Sequence, residues 1–234
     1  YVFVMSDVMG NDLSTIGSGP FTAPVHPRAI NEIIEKYNLN KLLNKNLLEH
    51  LLKAETLADI PAVPHFLIGS NMELLHAAEN ICFDMGIRPK TFPESLSGEA
   101  KESGKMIADM IRRYKAGGPV AFIFGGENTV TLTEKAGKGG RAQELALSVL
   151  NELKNDYQYT LLAAGSDGMD GIGGAAGAII SSETYTIAHE KGLSIQDYLD
   201  RHDSYHFFKE CDALIECDYT GTNVNDIVIA IIEN

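Results

Sequence analysis

The sequence predicts an α/β fold, because short apolar runs of strand length alternate with segments of helical periodicity, and polar glycine-rich loops follow the apolar runs. The strand-like runs are residues 1–5 (YVFVM), 65–69 (HFLIG), 120–124 (VAFIF), 159–164 (YTLLAA) and 227–232 (IVIAII), of which 120–124 is the clearest. Between them, Ile30, Ile33, Ile34 and Tyr37 predict a helix over 27–37. Leu42, Leu43, Leu47, Leu48, Leu51 and Leu52 predict another over 39–53. Ser70 and Asn71 can cap a helix over 72–86 that stops at Gly86. A polar-faced helix is expected over 98–116. Leu145, Val149, Leu150 and Leu153 share one face of a helix running from 141 to about 154. Residues 182–189 and 194–201 also read as helical, 91–93 as a short extended piece and 129–133 as a further β segment. Pro61 and Pro64 mark 54–64 as a linker between two units.

Composition bounds the function. With 44% hydrophobic and 22% charged residues, the 234-residue chain is an ordinary globular one. A net charge of −13 argues against a nucleic-acid partner, since binding phosphates along a backbone needs clustered Lys and Arg. A small phosphorylated ligand needs only a few donors and stays open. No run approaches the roughly 20 apolar residues of a membrane span. Three cysteines without C-x-x-C spacing suit a cytoplasmic setting. Cys211, Cys217 and His206 offer three zinc ligands at an unfamiliar spacing, and ordinary thiols are the simpler reading. Because residues 1–5 read as a buried strand with no leading loop, the chain is expected to be a fragment, or to follow a segment cleaved or not included.

Four polar loops close predicted strands: 6–19, 125–141, 165–171 and 220–226. In an open parallel sheet such loops gather at the carboxyl edge, where ligands bind. Residues 137–140 (GKGG) precede a long helix, so their amides can form an anion site, with Arg141 adding a permanent charge. A flexible hairpin connection explains the same glycines. Asp167 and Asp170 can hold Mg²⁺ or simply form the turn. Asp7 and Asp12 pose the same choice, Asn223 and Asp226 can cap the last strand connection, and Glu127 is either solvated or aimed into a cleft. The histidines, His202 among them, read as surface or core-edge residues. Neither G-x-x-x-x-G-K-[ST] nor a strand-bound G-x-G-x-x-G occurs, which disfavours Walker-type and dinucleotide-binding folds, and Ser166 lacks a G-x-S-x-G elbow.

Taken together and in order, these loops resemble the glycerate 2-kinase family with its C-terminal MOFRL domain. The matching segments are 6–12 (SDVMGND), 16–20 (IGSGP), 125–130 (GGENTV), 139–144 (GGRAQE), 164–171 (AGSDGMDG) and 220–226 (TGTNVND). The resemblance implies two α/β units facing a cleft, the first incomplete at its N-terminus. Residues 1–63 would be the remainder of an N-terminal Rossmann-like domain, and 64–234 a C-terminal domain with its MOFRL region from about 118. Relatives of about twice this length imply a missing N-terminal portion of the same polypeptide, and a homo-oligomer stays open.

The implied reaction is ATP-dependent, Mg²⁺-assisted phosphorylation of D-glycerate at its 2-hydroxyl, giving 2-phosphoglycerate. Arg141 and the 137–140 amides are assigned to phosphate or substrate carboxylate, Asp167 and Asp170 to the metal, and Asp7 to the glycerate hydroxyl, as orienting group or base. Ser6, Ser18, Gly19, Gly126, Glu127, Thr129, Gly139, Gly140, Gln143, Asn223 and Asp226 are the expected substrate and nucleotide contacts. The chain departs from the family pattern at Ala142 (usually Asn), Asn128 (commonly Thr), Asn11 (usually acidic) and 172–174, which lack polar residues often found there. Hydroxypyruvate reductase is a label some relatives carry, and it and a non-catalytic ligand-binding module are the alternatives.

Overall fold

The structure, a computed structural model, describes residues 1–22, 30–53, 63–115 and 117–233, so the predicted linker lies largely outside the described residues. The α/β class is the one the chain adopts. Two compact units divide it: Tyr1–Phe3 with Gly10–Phe66, and Val4–Met9 with Leu67–Asn234.

Strand β1 (Val2–Met5) opens the chain. The first unit holds helices α1 (Ile30–Lys36) and α2 (Lys45–Lys53); residues 27–29 of the first predicted helix lie outside the described residues, and the second starts later than predicted, after a 3₁₀ turn at Leu39–Lys41. Strand β2 (His65–Gly69) forms a two-stranded sheet with β1. The expected burial of residues 1–5 does not hold in the described structure: only Val4 is buried, while Tyr1 and Phe3 are exposed and rest against Phe66.

In the second unit, α3 (Asn71–Asp84) is capped by Ser70, whose Oγ accepts from the Met72 amide. There follow β3 (Arg88–Leu96), α4 (Ala100–Arg113), β4 (Val120–Gly126), α5 (Arg141–Leu153), β5 (Tyr159–Gly165) and β6 (Gly177–Ser181). The chain ends with α6 (Ser182–Glu190), α7 (Ile195–Asp200), α8 (Ser204–Glu210), β7 (Leu214–Ile215) and β8 (Asp226–Ile232). The predicted β segment at 129–133 is not a strand; Thr129 makes only an isolated bridge to Glu99.

The six-stranded sheet has the order β3-β4-β8-β5-β6-β7. It is not the parallel sheet the loop argument assumed: β3 and β4 are parallel, but every other pair is antiparallel. The loops still converge, for a different reason. Strand β8 runs antiparallel between β4 and β5, so its first residue lies beside the last residue of each. Asp226 is in register with Gly126 on one side and Gly165 on the other.

Alternation along β4 sorts its side chains between two cores. Val120, Phe122 and Phe124 join α4 and α5 in the larger cluster, with Phe207 and Phe208 of α8. Ala121 and Ile123 pack with Leu75, Ala78 and Cys82 of α3 on the opposite face. Helix α5 is deeply enclosed: every side chain from Ala142 to Leu150 is buried. Its N-terminus therefore needs protein partners for its free amides, and that need builds the site.

Candidate active site at the start of helix α5

A cavity of about 570 Å³ opens over the first turn of α5, lined on its polar side by Arg141, Glu144, Asp167, Asp170 and His202 and on its apolar side by Val130, Leu132, Met169 and Ile172. Asp170 anchors the helix. Its Oδ1 accepts from the Ala142 amide at 3.0 Å, and its Oδ2 from the Gln143 amide at 2.8 Å and Gln143 Nε2 at 3.0 Å. A carboxylate at a helix N-terminus satisfies two otherwise orphaned N–H groups and complements the helix dipole. Burial pushes the Asp170 carboxyl up, and the hydrogen bonds from Gln143 and Ala142 work against that rise. The geometry thus gives Asp170 the task of a cap from across the fold. Both oxygens of Asp170, expected from the sequence to hold a metal, are engaged with the helix start. Asp167 also lines the cavity; its Oδ1 accepts from the Met169 amide at 2.9 Å, and its Oδ2 has no hydrogen-bond partner among the described residues. Among the described residues no group of three His, Cys, Asp or Glu side chains is arranged to hold a metal.

The glycine loop also turns out to be shaped by the protein itself. Gly137 N donates to Arg201 O at 2.8 Å and Lys138 N to Asp203 Oδ1 at 3.0 Å, so two of the four amides assigned to phosphate are engaged internally. Gly139 has φ of 151°, a conformation that favours glycine, and a Cβ there would collide with Ser204 Oγ. A Cβ on Gly140 would strike Asp170. The glycines make room for the segment after α7 and for the capping carboxylate.

Arg141, the first residue of α5, is a clamp between two carboxylates. Its Nε donates to Asp226 Oδ2 at 2.6 Å, its Nη2 to Asp226 Oδ1 at 3.1 Å, and its Nη1 to Glu127 Oε1 at 2.5 Å. Two of the five guanidinium N–H donors remain for a ligand. Burial raises the Asp226 carboxyl to about 6 even though Arg141 pulls it down. This pairing exists because Asp226 begins β8 and Glu127 follows the end of β4, on the same edge of the sheet.

Of the other predicted residues, Thr129, Gly139 and Gly140 line the cavity. Gln143 is fully buried behind Asp170, with Oε1 lacking a protein partner. Gly126 hugs Leu96, where a Cβ would meet the carbonyl oxygen. Ser6 is buried in a turn with Val8, and Asp7 is exposed, its Oδ2 accepting from Asn223 Nδ2 at 3.4 Å. Neither Ser6 nor Asp7 nor Asn223 lines the cavity. Ser18 and Gly19 belong to the first unit, in a 3₁₀ turn ended by the left-handed Gly19.

The sequence reading missed Glu144 and His202. His202 is buried, not a surface or core-edge residue, and its Nδ1 lies 3.0 and 3.2 Å from the two Glu144 oxygens. Lys101 Nζ approaches Glu144 at 3.6 Å. Glu144 carried a signal: it stands three residues after Arg141, on the same side of the helix. His202 carried none, being 58 residues away in sequence.

The MOFRL family model matches residues 120–226, which span the glycine loop, α5, the 165–171 loop and Asp226, and a domain of unknown function (DUF4147) matches residues 1–52. A glycerate 2-kinase of Pyrococcus horikoshii is 36% identical over 99% of this chain and 55% of that protein. A D-glycerate 2-kinase of Thermotoga maritima is 34% identical over 98% of this chain and 55% of its own length. The chain is similar to glycerate 2-kinases over nearly its whole length. A crystal structure of a glycerate kinase from Thermotoga maritima superimposes with a TM-score of 0.87 at 33% identity, covering 98% of this chain and 56% of that one. The chain thus spans about half the length of the family members it matches. The MOFRL match takes in Arg141, Asp170, Asp226, Glu144 and His202 within one family-defined region.

Proposed function

We propose that this chain supplies the MOFRL-side half of a kinase that transfers the γ-phosphoryl of ATP to the 2-hydroxyl of D-glycerate, giving 2-phosphoglycerate. The observation that carries the reading is Arg141: a guanidinium fixed by Glu127 and Asp226 at the mouth of a cavity, with donors left over, in a chain whose relatives are named glycerate 2-kinases. Phosphoryl transfer asks the protein mainly for positioning and for charge stabilisation. The two carboxylates hold the planar guanidinium still, so no reorganisation is needed when charge develops on the transferred group. The remaining N–H donors suit phosphoryl oxygens or the glycerate carboxylate.

Mg²⁺ would arrive as part of the ATP complex and neutralise phosphate charge. Asp167, with one oxygen uncommitted to protein, is the carboxylate that fits a water-mediated contact to it. Val130, Leu132, Met169 and Ile172 give the cavity an apolar side against which a ligand can pack. Two assays decide the reading: ATP consumption with D-glycerate, and NAD(P)H oxidation with hydroxypyruvate. Both are run on the chain alone and on the complete gene product. ATP-dependent formation of 2-phosphoglycerate is expected; nicotinamide oxidation without ATP consumption would replace the kinase by a reductase, and turnover in neither assay would leave a ligand-binding module.

A further inference from the structure

We infer that His202 is the general base of the reaction, accepting the proton of the glycerate hydroxyl at Nε2. The inference rests on the kinase reading and adds the group that reading lacks, in place of Asp7, which lies away from the cavity.

His202 lines the cavity and is 8% exposed. It sits between α7 and α8 with φ of 50°, a left-handed conformation uncommon outside glycine, though Asn, Asp and His adopt it more readily than other residues. That backbone is held on both sides: the His202 amide donates to Leu199 O, and the Asp203 amide to Tyr198 O. Asp203 in turn accepts from the Lys138 amide and from His206 Nδ1, which ties the turn to the glycine loop. The imidazole is therefore aimed by a braced turn.

Glu144 then fixes the tautomer. A carboxylate 3.0 Å from Nδ1 accepts its proton, so the neutral ring presents the Nε2 lone pair. Nε2 has no protein hydrogen-bond partner among the described residues, although the residue is more than nine-tenths buried and lines the cavity. Lys101 balances the Glu144 charge from α4. The other charged groups around the ring are Arg141, Asp167 and Asp170 across the cavity and the neighbours Arg201 and Asp203. A carboxylate orienting an imidazole whose second nitrogen faces the substrate is the arrangement that serves general-base catalysis. In the step itself, the 2-hydroxyl oxygen forms a bond to the γ-phosphorus of ATP. The bond from that phosphorus to the bridging oxygen breaks, with its electron pair leaving on ADP, and the hydroxyl proton moves to Nε2, later to be released to water.

The test uses the complete gene product with D-glycerate and Mg-ATP. His202→Asn keeps a donor to Glu144 and tolerates the left-handed backbone, yet supplies no basic ring nitrogen. His202→Gly accepts the same backbone and leaves room for free imidazole. We expect His202→Asn to lower kcat by about 100-fold with KM within about threefold, in the range that a general base contributes. Added imidazole should restore at least tenfold in His202→Gly and nothing in the wild type. Thermal melts of both variants report folding, and imidazole rescue separates lost chemistry from lost structure. If the wild type turns over and His202→Asn keeps kcat within threefold, the base is elsewhere and the kinase reading stands. A folded His202→Gly without rescue also overturns the assignment. If the wild type does not phosphorylate glycerate, the kinase reading and this inference fall together.

Discussion

Helix α5 bears a charged residue at each end of its first turn, Arg141 and Glu144, and the protein holds the two in opposite ways. Arg141 is part-exposed, with two carboxylates gripping it and donors to spare; Glu144 is buried, with a histidine and a lysine gathered on it. The first arrangement is a positive group stabilised for use at a cavity mouth. The second is a negative group whose effect on a ligand passes through His202. Between them stands Asp170, which keeps the helix start in place. One helical turn thus carries an electrophilic end, a structural centre and a basic end.

Removing the centre should have the largest effect on folding. Asp170→Ala leaves the Ala142 and Gln143 amides unpaired in a buried setting, and we expect a loss of about 3 kcal/mol, read as a lower midpoint in urea. A loss below about 0.5 kcal/mol would mean that water replaces the carboxylate and that the helix start is not the buried feature described here. At the rim, Arg141→Ala should lower kcat/KM at least about tenfold, roughly 1.4 kcal/mol of transition-state stabilisation, with less effect on folding than Asp170→Ala. Equal folding losses in the two variants would erase the distinction between rim and centre.

The rim also has a pH signature. Because burial raises the Asp226 carboxyl to about 6, the folded state binds its proton more tightly than the unfolded chain does. Between about pH 4 and 6 this group therefore favours folding as pH falls, and its contribution is lost as pH rises through about 6. Asp12, Glu73 and Glu99 are lowered by hydrogen bonds and act in the opposite sense, so the signal is the difference between wild type and Asp226→Asn. The wild type should lose stability relative to Asp226→Asn from pH 4 to 7, and a flat difference would show that Arg141 keeps the carboxylate at its ordinary value. The smallest effect is expected at Lys101→Met. This lysine is part-exposed and 3.6 Å from Glu144, so its removal should cost under about 1 kcal/mol.

How much of this the sequence carried depends on how local each signal is. The helix from 141, the strand 120–124 and the polar loops were legible because periodicity and glycine placement act over a few residues. Arg141, Asp170 and Asp226 were legible as candidates for the same reason. Their roles were not, since Asp170 caps a helix 27 or 28 residues earlier in the chain and Asp226 meets Arg141 across 85 residues. The antiparallel β8 was hidden too: its six apolar residues read alike in either direction, and only pairing with both β4 and β5 reveals why the loops meet. His202 was illegible because a lone histidine between two short helices looks the same whether it faces solvent or Glu144. Likewise, the glycines at 139 and 140 suggested a phosphate cradle, while their neighbours Ser204 and Asp170 account for them.

The most direct test of the account is an NMR titration of the chain, following backbone amides as Mg-ADP and then D-glycerate are added. Gly139, Gly140, Gly171 and Ile172 should shift together, and Arg141→Ala should weaken the response. Shifts confined to a second cavity, lined by Asn151, Tyr185 and Gln196 among others, with the α5 cavity silent, would contradict it.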